Sequence, residues 1–139
     1  MKTSPPIRKV QRALDANCNR VREGLRVAED VARFLLDDPA LLNRLKKLRH
    51  QVTEAEKGLF ASDRLRRISR DVAGDLGRGT RENGEKQRGN AGDLLKANLK
   101  RAQEGLRSLE EFSKLLGHPA ALKFKKIRYG CYRVEEGLP

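Results

Sequence analysis

The chain has 139 residues, the size of one domain able to bury roughly 68% of its unfolded surface around a single core. Thirty-one Lys and Arg against 19 Asp and Glu leave a formal charge of +12, which favours an anionic partner such as a phosphorylated metabolite, nucleic acid or a membrane surface. Aromatics make up 4% with no Trp, which argues against a base-stacking surface, and no run approaches the roughly 18 apolar residues of a membrane span.

The opening M-K-T-S-P-P-I-R-K-V lacks the apolar centre of a signal peptide, so a cytoplasmic protein is expected. After Pro6, Val10, Leu14, Val21, Leu25, Ala28, Ala32 and Leu35 recur at helical spacing up to about Leu36. Asp37-Asp38-Pro39 supplies a stop, an N-cap and a proline for a first helical position. Leu41, Leu45, Leu48, Val52, Ala55 and Leu59 then form a second apolar seam, closing a helical hairpin over 7–59. Residues 60–92 break into arginines, glycines and acids and read as a long loop, a length that is generally functional or disordered. A second hairpin over 93–138 follows, with Leu95, Leu99, Ala102, Leu106, Leu109, Phe112 and Leu116 before the turn Gly117-His118-Pro119. Ala120, Phe124, Ile127, Cys131, Val134 and Leu138 come after it.

The two hairpins are copies. N-C-N-R-V-R-E-G-L-R-V-A-E from Asn17 returns as N-L-K-R-A-Q-E-G-L-R-S-L-E from Asn98, and L-K-K-L-R-H from Leu45 returns as F-K-K-I-R-Y from Phe124. Two hairpins with one apolar stripe each can bury those stripes only against each other. The predicted fold is all-α, a four-helix bundle of two pseudo-twofold-related hairpins with the long loop between them, in a single domain. Cys18 and Cys131 occupy positions filled by Leu99 and Val52 in the other copy, which reads them as small buried hydrophobes rather than a disulfide or metal pair.

A repeat that keeps Asn, Arg and Glu as faithfully as Leu points to those residues for function. At about 100° per residue Asn17 and Arg20 fall within the apolar arc of the first helix, as Asn98 and Arg101 do on the third. Polar groups aimed at a core need partners. The two Asn pairing across the axis, with Arg20 and Arg101 meeting Glu23 and Glu104, is one arrangement; a polar heterocycle and its phosphate held between the helices is the other. Gly24 and Gly105 each cost a helix about 1 kcal/mol relative to Ala, offset by close approach of either a helix or a ligand. Arg26 and Arg107 would pair with Glu29 and Glu110 at i, i+3, while Arg49 and Arg128, beside the seam, could reach a phosphate. In the loop, Ser69 to Thr80 gathers Arg70, Asp71, Asp75 and Arg78 with three glycines, a combination suited to phosphate oxygens and Mg²⁺.

Together, N-x-x-R-x-x-E-G-L-R-x-x-E, the L-K-K-L-R-H block, the S-R-D-x-x-x-D-x-G loop and K-A-N-L-K-R-A-Q-E-G-L-R-S-L-E-E-F resemble a small all-helical family of hydroxymethylpyrimidine phosphate kinases, over nearly the whole chain. The resemblance implies ATP-dependent conversion of 4-amino-5-hydroxymethyl-2-methylpyrimidine phosphate to its diphosphate in thiamine biosynthesis, and a functional partnership with thiamine-phosphate synthase, to which such domains are often fused. The chain departs from the family's pattern at Arg81-Glu82-Asn83-Gly84-Glu85-Lys86, where an acidic residue and an aromatic are expected. For that reaction Arg20, Arg26, Arg101 and Arg107 are assigned to phosphates with Arg49 and Arg70 assisting. Asp71 and Asp75 are assigned to Mg²⁺, Asn17 and Asn98 to the pyrimidine edge, and Glu23 and Glu104 to orienting the arginines. Because the acceptor phosphate is already anionic, no general base is required. The competing readings are a basic nucleic-acid-binding module, an all-helical mutase holding a dicarboxylate, and a non-catalytic accessory domain; homo-oligomerisation is left open.

Overall fold

A computed structural model describes residues 6–60, 62–79 and 88–138, apart from the side chains of Leu65 and Ile68. Four long helices and one short one follow in chain order: α1 (Ile7–Asp30), α2 (Pro39–Glu56), α3 (Asp63–Ser69), α4 (Ala91–Leu115) and α5 (Ala120–Glu136). No strand occurs among the described residues. The all-α bundle of two hairpins is therefore as expected. Thr80 and Arg81 to Lys86 lie outside the described residues.

The two hairpin corners do the same job with different residues. α1 runs into a π-helical turn, Val31–Leu35, closed by the Leu36 N–H donating to the Val31 carbonyl at 3.0 Å. Asp37 then takes a left-handed φ of 48°, Asp38 caps α2 by accepting the Leu41 N–H at 3.0 Å, and Pro39 fills the first helical position. At the second corner Gly117 is the left-handed residue with φ 62°, His118 Nδ1 accepts the Ala120 N–H at 3.0 Å, and Pro119 precedes α5.

α1 packs most extensively on α4, α2 lies between α1 and α5, and α5 closes the ring against α4. Leu14, Cys18, Val21 and Leu25 of α1 meet Leu45 and Val52, Leu99, Leu106 and Leu109, and Phe124 and Cys131 in one sealed core. Both cysteines are free and fully buried, as expected.

At the α1–α4 crossing a Cβ on Gly24 would stand 2.9 Å from the Asn98 carbonyl oxygen, and one on Gly105 would stand 2.6 Å from Val21 Cγ2 and 3.6 Å from the Asn17 carbonyl oxygen. The helices run antiparallel there, 24 against 98 and 17 against 105. Of the two explanations for these glycines, close approach of a helix is the one observed.

The crossing also corrects the inward direction read for the arginines. Arg20 and Arg101 are exposed, as are Glu23 and Glu104. Arg20 Cδ passes 3.8 Å from the place of a Gly105 Cβ, and Arg101 Cβ 3.7 Å from that of Gly24. Each arginine lays its stem over the other helix's glycine and carries its charge out to water, because a guanidinium at the rim of the apolar arc is cheaper to hydrate than to bury. Nor do the two Asn pair across the axis. Asn17 Nδ2 donates to the Ala13 carbonyl and Asn98 Nδ2 to the Leu94 carbonyl, both at 2.9 Å, and the Asn17 oxygen accepts Arg20 Nη1 at 2.9 Å.

The duplicated charges meet differently from the i, i+3 expectation. Glu29 takes Arg49 through Nε at 2.5 Å and Nη2 at 3.1 Å, and Glu110 takes Arg128 Nη2 at 3.0 Å. Each copy thus ties its first helix to its second. Arg107 turns to Glu111 at 3.1 Å. Burial raises the Glu110 pKa, but hydrogen bonds from Arg128 and Lys114 more than offset this and hold the carboxyl below its usual range. Arg22 and Glu56 form a further inter-helix pair whose counterpart is Gln103 donating to Glu135 at 2.6 Å. With Glu29 as its partner, Arg49 is a strut within the first hairpin.

Candidate functional site

Residues 60–79 do not form the plain loop that the glycines and charges predicted. α3 folds back along α1, and the anchor is Asp15, an α1 residue only 2% exposed. Asp15 accepts Arg66 Nε, and it accepts Arg70 through Nε at 2.6 Å and Nη2 at 3.0 Å. Arg66 also reaches Glu56 at 3.3 Å and lies 4.4 Å over the Phe60 ring. Burial raises the Asp15 pKa, yet hydrogen bonds from Arg70 and Arg66 and their charges outweigh it, so the carboxyl is held below its usual range. Arg70, read as an assistant to a phosphate, is occupied with this anchor.

The anchor places the start of the S-R-D-V-A-G-D segment across the outer face of α1, enclosing a cleft of about 410 Å³. Lys9, Arg12, Ala13, Ala16 and Asn19 of α1 form its floor, and Arg70, Asp71, Val72 and Asp75 its wall. Asp71 Oδ1 accepts the Gly74 N–H and Asp75 Oδ1 the Gly77 N–H, both at 2.9 Å, which folds the segment into two tight turns. These bonds occupy one oxygen of each carboxylate. Both Asp are exposed, and their Oδ2 atoms take no hydrogen bond in the described structure. A second, shallower cleft of about 480 Å³ continues along α1 and is lined by Arg22, Glu23, Arg26, Val27 and Arg49. Arg22 Nη2 donates to Asn19 Oδ1 at 2.8 Å and so joins the two clefts through one side-chain network.

The structure brings Arg70, Asp71 and Asp75 together, and separately Glu23, Arg26 and Arg49. Asn17, Arg20, Asn98, Arg101 and Glu104 instead mark the α1–α4 crossing, and Arg107 lies with Glu111. Lys9, Arg12, Asp15 and Asn19 were missed. Their counterparts are Asn90, Asp93, Lys96 and Lys100, so the cleft belongs to the first copy alone. The available signal was this loss of repetition: the charged and polar α1 residues lining the cleft, Lys9, Arg12, Asp15 and Asn19, are not kept in the second copy.

Two carboxylates with open oxygens fit Mg²⁺, which usually takes one or two protein carboxylates and completes its shell with water and substrate phosphate. No group of three or more His, Cys, Asp and Glu is placed to hold a metal among the described residues. A Mg²⁺ held here would therefore rely on oxygens from a bound phosphate. Among the described residues no helix is long and apolar enough to cross a membrane.

The chain is 40% identical over 131 residues to a thiamine-phosphate synthase of Rhodopirellula baltica, covering 94% of this chain and 34% of that protein. It is 40% identical to one of Nostoc sp. over 129 residues, covering 93% and 35%, and 42% identical to one of Synechococcus sp. over 127 residues, covering 91% and 34%. The chain thus spans about a third of the length of the curated relatives it matches. No solved structure matches. The ThiD2 family model matches residues 12–137, nearly the whole of both hairpins together with the cleft apart from Lys9, and the chain belongs to that family.

Proposed function

We propose that this chain catalyses the ATP- and Mg²⁺-dependent phosphorylation of 4-amino-5-hydroxymethyl-2-methylpyrimidine phosphate to the diphosphate, a step of thiamine biosynthesis. Membership of the ThiD2 family and the resemblance to thiamine-phosphate synthases support the pathway. The observation that carries the reaction class is the cleft itself, where Lys9 and Arg12 of α1 face Asp71 and Asp75 of a segment anchored on the buried Asp15.

In this reaction an oxygen of the acceptor phosphate attacks the γ-phosphorus of ATP, the bond to the β-phosphate oxygen breaks, and ADP leaves with that electron pair. Lys9 and Arg12 neutralise phosphate charge on one side of the cleft, and Arg26 does so in the adjoining cleft. Asp71 and Asp75 would hold the metal, which supplies charge neutralisation of the donor phosphates when bound. Asp15 is a positioning residue, fixing the segment that carries both carboxylates. Arg20 and Arg101 remain exposed at the crossing and available to phosphate, with Asn17, Asn98, Glu23, Glu104 and Arg107 around them.

The test is ADP release from the purified chain, expected only when ATP, Mg²⁺ and the pyrimidine monophosphate are all present. Arg12→Ala and Asp71→Ala proteins are run alongside. Absence of ADP from the parent chain refutes the reaction, and full activity in both variants refutes the cleft as its site.

A further inference from the structure

A further concavity lies away from α1. Between α2 and α5 runs an open groove of about 690 Å³, with Lys46, Lys47 and His50 on the α2 bank and Lys123, Lys126 and Arg133 on the α5 bank. Its floor is apolar, Ala55 and Ile127. Glu54 is the only acid lining it among the described residues, and that carboxylate already bonds Lys57 at 2.9 Å. The Lys-Lys pair is part of the duplicated block, Lys46-Lys47 in one copy and Lys125-Lys126 in the other, so both copies contribute to the same groove.

Gathering five like charges around one depression is unfavourable in the free chain, and their neutralisation is available to whatever fills it. The floor discriminates among anions. Small-ligand sites rest on a few fixed, convergent polar groups, whereas these amines sit on exposed, flexible stems. A nucleic acid backbone brings charge but nothing apolar to set against Ala55 and Ile127. A helical segment with small apolar residues on one stripe and acids along both edges matches floor and banks together. We propose that the α2–α5 groove is a docking surface for an acidic amphipathic helix of a partner protein, on a face separate from the cleft on α1.

A synthetic amphipathic peptide of about 18 residues with an Ala/Leu stripe flanked by Glu is titrated against the full chain by fluorescence anisotropy at low and moderate salt. Three competitors are measured beside it: the same peptide with Ser in place of its apolar stripe, duplex DNA, and ATP with Mg²⁺. The Lys46→Glu/Lys126→Glu protein is compared with Lys96→Glu/Lys100→Glu, which makes the same charge change on the outer face of α4. Binding of the apolar-striped peptide is expected to weaken roughly tenfold or more in the groove protein and by no more than about twofold in the α4 protein. The Ser peptide is expected to bind roughly tenfold more weakly. Equal losses in the two double variants, equal binding of the two peptides, or displacement of the peptide by DNA or ATP overturns the proposal. Thermal melts of all three proteins show that the comparison is between folded chains.

Discussion

Asp15, buried in α1, holds Arg70, at the end of α3, through two hydrogen bonds of 2.6 and 3.0 Å while also accepting Arg66. This joint decides where the acidic segment 71–75 lies, and it has no counterpart in the second copy, where Lys96 takes the position. Asp15→Asn takes from Arg66, whose side chain is 10% exposed, one of its two carboxylates, leaving Glu56 at 3.3 Å, and is expected to cost about 2 kcal/mol in denaturant unfolding. Arg70→Ala is expected to cost about 1 kcal/mol, since Arg70 is 40% exposed and Arg66 still satisfies Asp15. Both are expected to lower kcat in the ADP assay, with the loss in the Arg70 protein exceeding what its stability explains.

The pH dependence follows from the direction of the Asp15 and Glu110 shifts. Both carboxyls are held below their usual range in the folded chain, so the unfolded chain takes up their protons first. Their stabilisation is complete above the ordinary carboxylate pKa of about 4 and is lost as pH falls through the lower folded values. Urea unfolding followed from pH 7 to pH 2 is expected to show stability level to about pH 5 and falling below it. Asp15→Asn removes part of that fall, and an undiminished acid fall in that variant contradicts the assignment.

Gly24→Ala gains about 1 kcal/mol of helix propensity but sets a methyl against a carbonyl oxygen on a neighbouring backbone. Separating two packed helices outweighs that gain, and a net destabilisation of about 1–2 kcal/mol is expected from chemical denaturation. Gly117→Ala meets no atom within 4 Å, and its expected cost of about 1 kcal/mol comes only from the left-handed backbone.

Cys18 and Cys131 are fully buried, and burial pushes both thiols up, Cys131 to about 12 with Glu135 adding to the effect. A thiol-reactive reagent at pH 8 is expected to label neither cysteine in the folded chain and both once it is unfolded. Rapid labelling of the folded chain would contradict the sealed core.

The bundle was legible because its determinants are local and periodic. Apolar spacing, Asp38-Pro39 and His118-Pro119 specify helices and corners within a few residues of themselves, and duplication announces that two hairpins pack as one. The partners of the polar residues were not legible. Glu29 meets Arg49 and Glu110 meets Arg128 because of how each hairpin closes, and helical spacing offered Arg26 and Arg107 instead. Asp15 meets Arg66 and Arg70 only because α3 turns back along α1, a contact between residues far apart in the chain that no periodicity encodes. The amino-acid order therefore determined the four long helices and that they form two like hairpins, while α3 was not legible in it. The tertiary structure decided which charges are struts and which stay open to a ligand, since an ion pair depends on where helices lie relative to one another rather than on spacing along any one of them.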